Sequence, residues 1–208
     1  MRALLSLCFA ACSLALSGCD VVYSAHPLYK DDDAIEEPEI LGEWLIDGSN
    51  EMEVCVQKSV DHSYEMILFD PKSKLTEIYM INLVRLNDLL YADMIFKEMA
   101  VDRSQIEAPL GTITNHVVLK LNLTENDLAY STLNARAIQA RNQEGYYPPL
   151  NFVDSQDVPL LITPTDELRQ FLSLYSDKVF YDPDHFTRKP TYQTGDNLTT
   201  TCSTPTPP

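Results

Sequence analysis

Three regimes of hydrophobic patterning follow one another along the chain. Residues 3–19 carry no charge and are mostly apolar, residues 20–38 are rich in acids, and from residue 40 apolar and polar positions alternate. Met52, Val54 and Val56 stand against Glu53, Cys55 and Gln57, a period of two that predicts a strand with one buried and one wet face. Comparable runs cover residues 40–46, 64–69, 77–86, 89–96, 116–124 and 127–133. Asp70-Pro71 ends one of them, and Asn87-Asp88 offers a two-residue hairpin turn whose residues tolerate positive φ. In residues 116–124, Val117, Leu119, Leu121 and Leu123 form the apolar face, while His116, Lys120, Asn122 and Thr124 form the polar one. His116 is therefore expected on the surface. Strands in series with short connections predict a mostly-β fold, an antiparallel up-and-down meander closed into a barrel, because closure removes exposed edges.

Beyond residue 133 the period lengthens. Residues 134–142 read as a short helix, and residues 164–177 as a longer one. In the second, Thr163 is placed as the cap, Pro164 in the first turn, and Asp166 and Glu167 at the positive end of the helix dipole. Leu168, Phe171, Leu172 and Tyr175 recur at helical spacing, which predicts a face packed on the barrel. Between the helices, residues 158–162 read as a short strand and as the candidate eighth stave. Residues 187–208 hold eight Thr and four Pro with few large apolar side chains, the composition of a disordered tail. The barrel domain is thus assigned to residues 39–186.

The first regime is an address. One positive charge at Arg2 precedes an apolar centre and small residues, the layout of a secretory signal spanning residues 1–18. The uncharged run is short of the ~20 apolar residues of a spanning helix. Leu16-Ser17-Gly18-Cys19 resembles the bacterial lipobox, which implies cleavage before Cys19 and lipidation of its thiol. Each buried acyl CH₂ contributes roughly 0.8 kcal/mol, so two or three chains on one cysteine hold a protein on a membrane. Asp20 resembles the enteric-type signal for retention on the inner membrane, which favours that membrane over the outer one. The acidic residues 19–38, with Asp31-Asp32-Asp33 and Glu36-Glu37, then read as a lipidated tether that holds the domain off the bilayer, with His26-Pro27-Leu28-Tyr29 as an apolar patch within it that is expected to pack.

Charge and cysteine usage refine that picture. The net charge is −16, and it becomes −17 once Arg2 leaves with the signal. Such an excess argues against nucleic acid and against anionic lipid headgroups as partners, since both would repel it. Of the five cysteines, Cys8 and Cys12 depart with the signal and Cys19 carries lipid, which leaves Cys55 and Cys202 in an oxidising compartment. They could form a disulfide or stand as two thiols; neither has a metal-binding spacing.

Leu41-Gly42-Glu43-Trp44 resembles the first-strand Gly-x-Trp signature of lipocalins and the wider calycins, whose Trp plugs one end of the barrel. Together with the lipobox, His26-Pro27-Leu28-Tyr29 and Leu168-x-x-Phe171-Leu172, the chain resembles a family of small bacterial lipoproteins without an assigned activity. The resemblance implies a lipocalin-like barrel and an envelope location, with Gly42 and Trp44 as structural signature residues and no catalytic residue. Lipocalins pair this Trp with an Arg or Lys of a late strand, for which the sequence offers no evident partner here.

Catalytic signatures are sparse. Gly-x-Ser-x-Gly, a P-loop and a dinucleotide fingerprint are absent from the sequence, and no cofactor is expected. Tyr181-Asp182-Pro183-Asp184-His185 sets two carboxylates beside an imidazole, which suits either an acid–base or metal site or an ordinary turn. Two functional readings stand nearly level, the first slightly ahead on fold analogy. In the first, the barrel binds a small apolar or amphipathic ligand; in the second, a filled barrel serves as an envelope adaptor or accessory subunit. An enzyme built on Asp184 and His185 ranks third.

Overall fold

Each run of period two becomes a strand, and closure comes from a segment whose pattern is not apolar enough to announce itself. The computed structural model describes residues 21–30, 33–46, 52–60, 62–101, 104–107, 115–155 and 158–189. Its strands are β1 (Tyr23–Ser24), β2 (Gly42–Ile46), β3 (Glu53–Lys58), β4 (Tyr64–Asp70), β5 (Leu75–Leu86), β6 (Leu89–Val101), β7 (Ser104–Glu107), β8 (His116–Leu123), β9 (Asp127–Thr132), β10 (Phe152–Ser155), β11 (Val158–Leu161) and β12 (Asp184–Arg188). The helices are α1 (Ala135–Gln143) and α2 (Thr165–Tyr175).

Eight strands close into an antiparallel up-and-down barrel, in the order β2-β3-β4-β5-β6-β8-β9-β12. The last of them pairs with β9 on one side and with β2 on the other. The β5–β6 turn is the two-residue hairpin expected at Asn87-Asp88, with φ of 47° and 66°. Two assignments are corrected here. The eighth stave is Asp184–Arg188, whereas Val158–Leu161 lies outside the barrel, paired with β10 and parallel to β1. Consequently Thr187 and Arg188, assigned to the tail, belong to the wall; residues 190–208 lie outside the described residues.

There are two cores. Inside the barrel, Trp44, Val54, Val56, Leu68, Leu83, Ala92 and Tyr130 meet with their neighbours. Outside it, Val84, Leu86, Tyr91 and Val118 point outward from the wall and are covered by Ile138 of α1 and by Leu168, Phe171 and Leu172 of α2, all three of them 0 % exposed. Asn134 caps α1, its Oδ1 accepting from the Ala137 N–H at 3.0 Å. α2 begins one residue later than its pattern suggests. Pro164 occupies the cap position, and the Thr163 hydroxyl accepts from the Asn151 N–H at 2.7 Å instead of capping. Its Asp166 and Glu167 still occupy the first turn.

The acidic segment is not a leash. Val21 forms a bridge with Asn134, and β1 pairs with both β8 and β11. Leu28 is 0 % exposed, and its N–H donates to Asp93 Oδ2 at 2.6 Å. Farther on, the Ile35 N–H donates to the Leu83 carbonyl and the Glu37 N–H to the Tyr64 hydroxyl. The described part of residues 19–38 is therefore a strap bound along the barrel. A charge run reads as solvated chain, but Val22, Leu28 and Ile40 supply enough buried surface to hold it down.

Candidate functional site

The strap ends in a short 3-10 turn, Pro38–Ile40, that floors one end of the barrel, and the signature residues meet there. The Trp44 indole N–H donates to the Ile40 carbonyl at 2.9 Å, and its ring is 0 % exposed. Arg188 supplies the partner that the sequence did not reveal. Its guanidinium carbon lies 4.1 Å from the Trp44 ring centroid. Arg188 Nη1 donates to the Leu41 carbonyl at 2.7 Å, Nε to the Glu125 carbonyl at 2.5 Å, and Nη2 to the Glu39 carbonyl. Burial lowers the pKa of this guanidinium from its ordinary value, opposed by the nearby Glu125 and Glu39 charges. Gly42 has φ of +127°, and a Cβ placed there would stand 2.9 Å from Arg188 Nη1. The Gly-x-Trp pattern and the late Arg are one structural unit, which closes the floor.

Above the floor the interior is nearly full. Its apolar cavity measures about 40 Å³ and is lined by Met66, Ile81, Met94, Leu119, Tyr130 and Phe186, among others. A ligand pocket typically needs ~300–1,000 Å³. Tyr130 is 6 % exposed and stacks on Phe186 at 4.8 Å between ring centroids. Burial, with the Asp184 charge adding to it, pushes its phenol up to about 12.

The larger space is on the outer wall. Lys120, Asn122, Ala129, Ser131 and His185 turn outward from β8, β9 and β12 and line a groove of about 990 Å³. One wall is the β5–β6 turn with Glu37 and Glu39, where Arg85 is paired to Glu37. The other is the segment carrying Asp177, Phe180, Tyr181 and Asp182 as it returns from α2 to the barrel. Lys120 leans on that wall, with Nζ 4.9 Å from the Phe180 ring centroid and 3.5 Å from the Ser176 carbonyl. Carboxylates outnumber cations along the lining.

Tyr181-Asp182-Pro183-Asp184-His185 lies along this groove as the approach to the closing strand, and His185, Asp182 and Tyr181 line it. The imidazole does not join its sequence neighbours. His185 Nδ1 lies 3.0 Å from Asp127 Oδ1 across the strands, in a pair that is about two-fifths exposed on each side. Among the described residues no group of three or more His, Cys, Asp and Glu is arranged to hold a metal.

A second His–Asp pair is buried. His116, assigned to the surface by its strand pattern, is 7 % exposed because the strap covers the start of β8. Its Nδ1 lies 2.6 Å from Asp93 Oδ1, and Asp93 is 0 % exposed. Ser24 sits directly across from His116 in the β1–β8 register, which brings Ser, His and Asp together. The Ser24 hydroxyl, however, donates to the His26 carbonyl at 2.6 Å and is sealed from solvent. The cluster binds the strap to the barrel.

Cys55 is disulfide-bonded, and its partner lies outside the described residues, as do Cys19 and Cys202. No family model, curated protein or solved structure matches the chain.

Proposed function

We propose that this chain is a bacterial envelope lipoprotein, anchored through Cys19 and facing the periplasm, whose filled barrel acts as a non-enzymatic adaptor. In this reading the outer groove receives the partner, an envelope protein. The observation that carries it is the contrast in space: about 40 Å³ inside the barrel against about 990 Å³ in the groove. The signal-like first 18 residues and the lipobox support the anchor, and Asp20 favours the inner membrane. With Cys8 and Cys12 removed and Cys19 acylated, Cys202 is left as the partner of Cys55. The experiment is photo-crosslinking in cells from position 120 in the groove and from Val60 on the opposite wall. One envelope protein captured from position 120 alone, and lost on Ser131→Trp, supports the adaptor; the same mixed neighbours from both positions refute it.

A second reading, a small apolar ligand within the barrel, draws on the wholly apolar lining and on Met66 and Met94, flexible side chains that can repack. It requires those side chains to swing aside to enlarge the present void.

A further inference from the structure

The distance between the anchor and the folded body is set by covalent geometry. Val21 is already in a bridge with Asn134, Val22 is 2 % exposed, and Tyr23 and Ser24 are hydrogen-bonded between two strands. The strap is held again farther on. The Thr165 hydroxyl donates to the Pro27 carbonyl at 2.6 Å, Arg169 Nη1 donates to the Leu28 carbonyl at 2.9 Å, and Arg169 pairs with Asp33 at 2.7 Å. Peeling the strap away would also strip Leu28 from Asp93 and from the outer core. Cys19 is two residues before Val21, so their Cα atoms are at most about 7 Å apart. A headgroup layer is about 5–8 Å thick on each side of the hydrocarbon.

We infer that a lipid bilayer is the partner of one flank of this barrel, the flank where β9 passes into α1, and that the body lies flush on the headgroups. The inference rests on lipidation of Cys19. The flank is defined by what surrounds Val21: Asn134 opposite it, Leu133 in a bridge with Phe180 beside it, and the exposed Arg136 in the first turn of α1. Covalent reach, and not charge, seats the body there, since the net charge of −17 without Arg2 disfavours anionic headgroups. β3 lies four strands from β8 in the eight-stranded wall, so Val60, which follows β3 and is 72 % exposed, marks the far side. Because Phe180 also lines the outer groove, a flush body places one end of that groove at the membrane surface. A partner reaching it must then be embedded in the same membrane or lie close to it.

The test uses the full processed chain purified from the envelope, with a fluorescent amino acid at position 136 or 60. It is reconstituted in phosphatidylcholine–phosphatidylglycerol vesicles that contain a headgroup-nitroxide lipid. Quenching at position 136 is expected to exceed that at position 60 at least threefold. A twelve-residue Gly/Ser insertion between Asp20 and Val21, with a reach of roughly 20 Å, should bring the two close to equal. Equal quenching at both positions without the insertion, in protein that floats with the vesicles and carries acyl mass on Cys19, overturns the flush orientation alone. A chain that neither floats nor carries that mass overturns the orientation and the lipid anchor together.

Discussion

The guanidinium of Arg188 stacks on Trp44 and satisfies the carbonyls of Leu41, Glu39 and Glu125, so its loss leaves three acceptors and an aromatic face without their partner. Arg188→Ala is expected to cost about 2–4 kcal/mol in chemical denaturation. Lys189→Ala next to it, removing an exposed pair with Glu43, should cost under about 1 kcal/mol. Gly42→Ala adds a Cβ at φ of +127° and 2.9 Å from the same guanidinium, for an expected loss of about 1–3 kcal/mol. The Gly42→Ala penalty should shrink, without vanishing, when Arg188 is also Ala, because the contact goes and the backbone strain stays; additive losses in that double-mutant cycle would contradict the shared unit. Tyr130 gives a pH test. Its phenol titrates at an ordinary value of 10.0 when unfolded and at about 12 when buried. The unfolded chain therefore releases that proton first. Stability is full below pH 10 and falls as pH rises through 12. Tyr130→Phe should flatten the loss between pH 9 and 11.5 in urea unfolding, leaving the smaller slope from Tyr64 and Tyr91, whose phenols burial also raises. An unchanged slope would show that Tyr130 is hydrated in the folded state.

At the scale of elements, the sequence makes the wall legible wherever an inward face carries several apolar side chains. β8, with Val117, Leu119 and Leu121, is plain in this way. β12 is not, because Asp184–Arg188 sends only Phe186 into the core and its neighbours read as a turn followed by a polar tail. What makes it a strand is its position between β9 and β2, an effect of closure that no local window contains. Arg188 was hidden for the same reason. The strap misleads in the opposite sense: its acids dominate the pattern, and only the apolar patch at His26-Pro27-Leu28-Tyr29 signals the packing that Val22, Leu28 and Ile40 carry out. The alternation likewise gives no reason for Asp93, which receives the Leu28 N–H of the strap. A chain stopped after Pro183 lacks the closing stave and should aggregate without a cooperative thermal transition. One stopped after Pro190 keeps all eight staves and should keep that transition. Circular dichroism and gel filtration distinguish the two, and a cooperative transition in the shorter chain would contradict the role of β12.

At the scale of the molecule, the barrel spends its interior on stability. A lipocalin-like wall with a closed floor could carry a ligand, but the space left here is about 40 Å³, far below the ~300 Å³ at which ligand pockets begin. The open space is outside, on a face walled by the β5–β6 turn and the segment that returns from α2. This geometry suits a scaffold that presents a surface better than a vessel that holds a molecule. None of that was readable from composition: the alternation that predicts a barrel is the same whether the inward side chains fill it or line a cavity. Trp44 reports directly on the difference, because it is the only tryptophan in the chain and sits at the floor of the interior. The decisive measurement is titration of the purified protein with a brominated long-chain fatty acid while Trp44 fluorescence is followed. A filled barrel predicts no saturable quenching up to the solubility limit of the fatty acid. Saturable, one-to-one quenching would show that the interior opens to a ligand, and would contradict the adaptor reading.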